Sequence, residues 1–264
     1  MQPFTAADAL VSVPTERDDK YSRGVLGVIT GSDQYPGAAV LGVEAALRTG
    51  VGMVRYLGPQ RASDLVLARR PEAVAGSGRV QAWLIGSGTD HASFADPAAD
   101  EAMAQGLPTI LDGGALALHT QRTGPLVITP HYRELARVLA VPVDEVADDP
   151  ASWAVKAAEM LRVTVLLKGH TTFVAGPGIH LSVQGAPTWL ATAGAGDALA
   201  GILGALVATH SNEIAEDERM LARLAATASL IHGLAAQRAS QGGPFTVLQL
   251  CEAIPATVVQ LLRR

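Results

Sequence analysis

Trp189-Leu-Ala-Thr-Ala-Gly-Ala-Gly-Asp197-Ala-Leu-Ala-Gly-Ile-Leu-Gly-Ala-Leu-Val-Ala208 opens as a loop of small residues and continues as an apolar segment. In that segment Leu199, Ile202, Leu203, Leu206 and Val207 recur at helical spacing. Ala193, Gly194, Ala195 and Gly196 leave backbone N–H groups uncovered where the helix begins. Those groups have no intrahelical partner, and the helix dipole adds partial positive charge there. Such a place suits an anion, above all a phosphate. Asp197 sits inside this nest. A carboxylate repels a phosphate, so its chemical reading is a base that takes a proton from a hydroxyl attacking the phosphate. Its plain reading is a helix cap, since Asp is a favoured cap. The local sequence leaves both open.

The surrounding chain has 264 residues, enough for one large α/β domain. With 48% hydrophobic and only 4% aromatic residues, its core is Ala, Val, Leu and Gly, which suits helices layered on a parallel sheet. A net charge of -5 without a basic block argues against nucleic acid as a partner. The single Cys251 excludes an intramolecular disulfide framework and a multi-cysteine zinc site. No apolar run reaches the length of a membrane span. Met1-Gln-Pro-Phe-Thr lacks a basic-then-apolar leader. The expectation is a cytoplasmic protein that uses no membrane.

In order, residues 1–23 read as a polar N-terminal segment lying on the surface. Residues 25–30 read as a buried strand, 37–48 as a helix stopped by Gly50, and 52–57 as a strand, which together make a βαβ unit. Further strands are expected at 82–85, 109–111, 126–128 and 163–167, with helices near 92–105, after His131, and over 151–161. Residues 171–174 and 179–183 flank Gly176-Pro-Gly178 and predict a hairpin. Helices are expected over 197–208, 213–239 and 246–262, the last bent at Pro255. Strand after strand ends in Gly, Asp, Thr-Pro-His or Lys-Gly. In open parallel sheets ligands bind beyond the C-terminal strand ends, so these residues converge on one rim. No Walker A sequence and no Gly-x-Gly-x-x-Gly follows the first strand. One domain over 1–264 is the simplest reading.

On that rim, Lys168 of Lys168-Gly-His-Thr-Thr172 can meet a phosphate, and Thr171 and Thr172 with the free N–H groups can hold a nucleotide. The alternative is an ordinary surface turn. His131 has a rim position that favours substrate contact over a structural role. Gly86 and Gly88 permit close backbone approach to a ligand. Ala38 and Ala39 are small either for packing or because a substrate lies against them.

The Ala-Gly-Ala-Gly-Asp197 loop entering a helix resembles the anion-hole and base motif of the ribokinase-like superfamily. More narrowly, an ordered set of segments resembles the NAD(P)H-hydrate dehydratase (carbohydrate-kinase-like) family. The set comprises Gly31-Ser with Gly37-Ala-Ala, Ile85-Gly-Ser-Gly88, Leu111-Asp112 with Ala115-Leu116, Thr129-Pro-His131 with Glu134, Lys168-Gly with Thr172, and Ala191 to Asp197. It runs from about residue 20 to 250. The resemblance implies a three-layer α/β/α sandwich with a mostly parallel central sheet. It implies ADP- or ATP-dependent dehydration of hydrated nicotinamide cofactors, (6S)-NADHX and (6S)-NADPHX, to NADH and NADPH. It gives Asp197 the substrate hydroxyl, and residues Ala193, Gly194, Ala195 and Gly196 the phosphoryl group. Lys168, Gly169, His170, Thr171, Thr172 and Gly196 would contact the nucleotide, and Ala38, Gly88 and His131 the hydrated cofactor. Mg2+ is implied with the nucleotide, its ligands unassigned. A homo-oligomer, a tetramer in this family, and a separate NAD(P)HX epimerase as functional partner are also implied. The chain departs from the family's usual pattern at Asp90, where glycine is common. It departs again at Asp112-Gly-Gly114, which has one carboxylate fewer than the usual Asp-Ala-Asp. The alternative is a kinase of the same superfamily acting on a hydroxymethylpyrimidine or hydroxyethylthiazole, in which Asp197 would do the same work. A nucleotide-binding regulator without turnover is a third reading, against which the presence of Asp197 and Lys168 argues.

Overall fold

The computed structural model describes residues 1–89 and 95–263, so Asp90 lies outside the described residues. Ten strands form one sheet. In chain order they are β1 (Gln2–Pro3), β2 (Val25–Ile29), β3 (Met53–Tyr56), β4 (Val74–Ala75), β5 (Ala82–Ile85), β6 (Thr109–Leu111), β7 (Leu126–Ile128), β8 (Thr164–Leu167), β9 (Thr172–Gly176) and β10 (Ile179–Val183). Their spatial order is β1-β10-β9-β8-β7-β6-β5-β2-β3-β4. Among the described residues every strand but β9 runs in one direction. The helices are α1 (Pro36–Thr49), α2 (Gln60–Arg69), α3 (Pro97–Ala104), α4 (Tyr132–Leu139), α5 (Val143–Asp148), α6 (Pro150–Leu161), α7 (Ala195–Thr209), α8 (Ser211–Glu216), α9 (Arg219–Ser240) and α10 (Val247–Leu262).

Three layers follow from the period of two along each strand. Leu26, Leu84, Ile110, Val127 and Leu166 enter one core with α1, α2, α7, α9 and α10. Their neighbours Val25, Ile85, Leu111, Ile128 and Leu167 enter a second core with α3, α4, α5 and α6. Strands buried on both faces need continuous apolar runs, which is why these segments do not alternate in polarity. Helix α7 is buried almost all round because it packs on α1, α9 and the sheet. The backbones of α1 and α7 meet where Gly201 faces Gly42: a β-carbon on Gly201 would overlap the Gly42 carbonyl oxygen.

Three expectations need correction. The segment 1–23 does not lie wholly on the surface. Gln2–Pro3 pairs in parallel with β10, and the Phe4 N–H donates to the Ser182 carbonyl at 2.9 Å with the Phe4 ring buried. The hairpin's outer strand would otherwise present unpaired backbone groups, and β1 covers them. The helix expected over 213–239 divides into α8 and α9 at Asp217. This residue is extended, and its carboxylate accepts the Arg219 N–H at 3.0 Å, a local bond that competes with helix continuation. The helix expected near 92–105 starts, within the described residues, at Pro97, behind Asp96, which accepts the Ala98 N–H at 2.9 Å. Helix α10 continues through Pro255.

One polar knot ties α1 to α2 and lies far along α1 from the loops at its start. Glu44 is fully buried and accepts from Arg48 at 2.6 Å, from Arg69 at 3.2 Å and from Arg70. Burial alone would raise its pKa, but the three guanidinium groups, Arg70 foremost, lower it to about 2. A depressed carboxylate stabilises the fold above its ordinary pKa, and that contribution is lost as pH falls towards 2. The melting temperature of the wild type is therefore expected to fall steeply from pH 4.5 to 2. Glu44→Gln should melt lower at neutral pH and show a shallower acid decline; parallel declines in calorimetric scans would contradict this.

Candidate active site

The strand order reverses between β2 and β5: β3 and β4 continue to one side, β6, β7 and β8 to the other. Crevices form beyond the strand ends at such a switch point. Here the Gly31 N–H donates to the Ser87 carbonyl at 2.7 Å, joining the two strand ends. Ala38, in the first turn of α1, packs directly on Gly88, so two of the residues expected to face the hydrated cofactor are neighbours.

Beside them the ends of β5, β6, β7 and β8 carry a connected polar cluster. Parallel register aligns Ile85, Leu111 and Ile128, and so places the residues just beyond them together. Asp112 is buried, and both its oxygens are engaged. Oδ1 accepts from Thr129 Oγ1 at 2.7 Å and from Lys168 Nζ at 2.8 Å; Oδ2 accepts from Ser87 Oγ at 2.9 Å. Burial alone would raise the Asp112 pKa, but Lys168 and the two hydroxyls hold it below the ordinary carboxylate range. Lys168 Nζ also lies 3.8 Å from Glu134 Oε2. Burial opposes the ammonium, yet Asp112 and Glu134 raise its pKa above the ordinary lysine value. His131 caps α4: its Nδ1 accepts the Glu134 N–H at 3.2 Å while Glu134 Oε2 accepts the His131 N–H at 2.8 Å. The imidazole of His131 is half exposed on the rim, so capping and ligand contact are both open to it.

Across the cluster stands the start of α7. Its N-cap is Gly194, at φ +88°, a left-handed conformation that favours glycine. Asp197 is therefore three residues inside the helix and makes no capping hydrogen bond, which removes the plain cap reading. The N–H of Ala195 donates to the Thr192 carbonyl at 3.3 Å, so Ala195 is not an open donor as expected. Among the described residues the N–H groups of Ala193, Gly194 and Gly196 have no hydrogen-bond partner, nor has that of Asp197. A β-carbon on Gly196 would lie 3.6 Å from Lys168 Nζ, so the ammonium stands over the first turn of α7. Burial, with the charge of Asp112 added and that of Lys168 opposing, pushes the Asp197 pKa up to about 7. A carboxylate poised near neutrality can both accept and release a proton at working pH.

The loop Lys168–Thr172 runs on from the cluster. Gly169 and His170 are exposed, Thr171 is half-buried and Thr172 begins β9. His170 and Thr172 line a small cleft with Gln184, Gly185, Ser229 and Gly233. Sequence reading did not pick out the hydroxyls of Ser87 and Thr129 as partners of Asp112. Their signal was positional only, each being the polar residue one or two places beyond an apolar strand. It also missed His232 on α9. This imidazole is buried, with Nε2 unpartnered among the described residues. Burial lowers its pKa to about 4, opposed by a contact with the Ala195 backbone, so a neutral ring backs the start of α7.

The family model of NAD(P)H-hydrate dehydratase matches residues 26–255, which span every element just described except β1 and the last turns of α10. The chain belongs to this family. A bifunctional NAD(P)H-hydrate repair enzyme of Mycobacterium tuberculosis is 42% identical over 224 residues, covering 78% of this chain and 46% of that protein. The chain thus spans about half the length of that relative. Among solved structures, the ADP/ATP-dependent NAD(P)H-hydrate dehydratase of Bacillus subtilis, co-crystallised with ATP/Mg2+, superposes with a TM-score of 0.86 at 26% identity, over 97% of this chain and 96% of that one. A ribokinase-like superfamily protein of Enterococcus faecalis superposes with a TM-score of 0.83 at 23% identity, over 98% and 96%. The fold of this NAD(P)H-hydrate dehydratase family member is ribokinase-like, an α/β fold with a mostly parallel sheet, as its motifs implied.

Proposed function

We propose that residues 1–264 act as one ribokinase-like unit that dehydrates NADHX and NADPHX with ADP or ATP as phosphoryl donor. The observation that carries this reading is the opposition of Asp197, pKa about 7, and the Lys168 ammonium across the uncovered N–H groups at the start of α7. Hydroxide is a poor leaving group, so a hydrated dihydropyridine keeps its water. Asp197 takes the proton from the ring hydroxyl as its oxygen attacks the terminal phosphorus of the nucleotide. The N–H groups of Gly194 and Gly196 and the ammonium of Lys168 receive the charge on the transferred group. The ring carbon–oxygen bond then breaks with phosphate leaving, the neighbouring ring carbon gives up a proton to water, and the ring double bond is restored. Ala38, Gly88 and His131 would contact the hydrated ring, and Gly169, His170, Thr171 and Thr172 would hold the rest of the nucleotide.

The described residues contain no cluster of three His, Cys, Asp or Glu side chains able to cage a metal ion. The oxygens of Asp112 are already engaged. We assign Mg2+ to the phosphates of the nucleotide, the usual way this ion is held beside phosphates. It would screen their charge; no side chain of this chain is given to it. No helix among the described residues is long and apolar enough to cross a membrane; a cytoplasmic site of action is part of the proposal and rests on the family resemblance. Assembly as a homo-oligomer and a functional link to an NAD(P)HX epimerase rest on the family resemblance.

The test is direct. Purified chain incubated with NADHX and ADP is expected to regenerate the absorbance of NADH and release AMP and inorganic phosphate in equal amounts. A stable phosphate ester formed from a hydroxymethylpyrimidine or hydroxyethylthiazole, with no NADH recovered, would overturn the dehydratase reading in favour of a kinase.

A further inference from the structure

Both oxygens of Asp112 are engaged, and the residue is 4% exposed. A carboxylate so enclosed meets no ligand. Each of its bonds has a different source: Ser87 beyond β5, Thr129 beyond β7 and Lys168 beyond β8, with Asp112 itself beyond β6. Four adjacent strands thus converge on one ion pair, the Asp112 carboxylate and the Lys168 ammonium. The lysine stem is flexible and its ammonium is a point charge with no fork to fix its direction. Its position over Gly196 therefore depends on what holds its tip.

We propose that Asp112 is a positioning residue: oriented by Ser87 and Thr129, it holds the Lys168 ammonium over the first turn of α7, where the phosphoryl group is received. The proposal rests on the assignment of a phosphoryl group to that turn, but not on the identity of the hydroxyl substrate. The position at 114, where the family's usual second carboxylate is replaced by Gly114, is not needed for this role; Asp112 alone completes the contact. The roles differ across the cluster. Asp197 acts on the substrate, Lys168 on the phosphoryl group, and Asp112 acts only through Lys168.

A double-mutant cycle read by ADP affinity tests it. Asp112→Asn keeps the shape and most hydrogen bonds while removing the charge, and Lys168→Gln removes the ammonium. Each is expected to weaken ADP binding about tenfold by calorimetry, and the double variant no more than Lys168→Gln alone, because groups in one network are not additive. Ser87→Ala leaves every charge in place. It should weaken ADP binding by a smaller factor, and by none in the Lys168→Gln background. A merely structural Asp112 would instead give losses that multiply, following the melting temperature, and that result overturns the proposal. If Asp112→Asn does not fold, Ser87→Ala and Thr129→Val crossed with Lys168→Gln carry the same test. The cycle needs no turnover. Non-additive binding without conversion of NADHX would keep the positioning role and remove the dehydratase reading. Conversion of NADHX with multiplying losses would do the reverse. Absence of binding by both ADP and ATP in the wild type would overturn both.

Discussion

Asparagine in place of Asp197 is expected to leave a folded, nucleotide-binding chain whose turnover of NADHX has fallen about 10²–10⁴-fold, the usual worth of a positioned general base. The wild-type rate should climb as pH rises through about 7, where Asp197 loses its proton; the residual rate of the Asn variant should lack that rise. Stability should move the other way. An acid whose folded pKa lies above its ordinary value weakens the fold on ionising, and the loss is complete above pH 7. Asp197→Asn should therefore melt at or above the wild-type temperature at pH 8, with ADP affinity kept or slightly improved because a negative charge near the phosphates is gone. Turnover against pH, calorimetry with ADP and a thermal melt decide the matter together. A fully active Asn variant would end the claim that Asp197 does the chemistry.

The second large effect is expected at Gly201, one turn along α7 from Asp197. Because a β-carbon there would overlap the Gly42 carbonyl oxygen, Gly201→Val must push α1 and α7 apart. Backbone cannot rotate away as a side chain can, so the cost is set at the upper end of overpacking, about 3 kcal/mol or more. Helix α7 carries Asp197 and the open N–H groups at its start, and α1 carries Ala38. Separating the two helices moves the base relative to the substrate. A displacement near 1 Å costs roughly 10²-fold in rate, so turnover should drop in molecules that remain folded. Gly42→Ala is the control. A β-carbon on Gly42 would stand 3.6 Å from the Asp197 carbonyl oxygen and 3.9 Å from Leu84, ordinary contact distances. It should be neutral or gain up to about 1 kcal/mol from helix propensity. Equal effects at the two glycines, in melts and in rates, would show that the helix spacing does not govern the site.

Much of this arrangement was readable from the chain. The core strands announced themselves because burial on both faces forces unbroken apolar runs such as Leu126-Val-Ile128. The rim was readable because parallel strands deliver their last residues to one side, and there His131 and Lys168 pair as an isolated parallel bridge. What stayed hidden was short or pairwise. β1 is two residues long, and Gln2–Pro3 has no strand pattern; only its partner β10 makes it a strand. The break at Asp217 turns on one side chain choosing the Arg219 N–H over the helix ladder. The role of Asp112 was invisible for a related reason. Its function is a set of three contacts with residues 17, 25 and 56 positions away, and local sequence states none of them. For Asp197 the sequence offered a cap and a base equally, and the left-handed Gly194 at the N-cap decided against the cap.

The pairing of Gln2 with Leu181 closes a loop through nearly the whole chain before it. Chain closure over such a span gains little from two residues of backbone pairing, so β1 cannot nucleate anything. It can add only once the β9–β10 hairpin, a local structure, is already docked on β8. The βαβ units and the hairpin are therefore expected to form before β1 is added across them. The edge that borders the hairpin following Lys168–Thr172 is consequently sealed by two paired residues and the buried Phe4 ring, and opening there need not disturb the parallel core that holds Asp112 and Lys168.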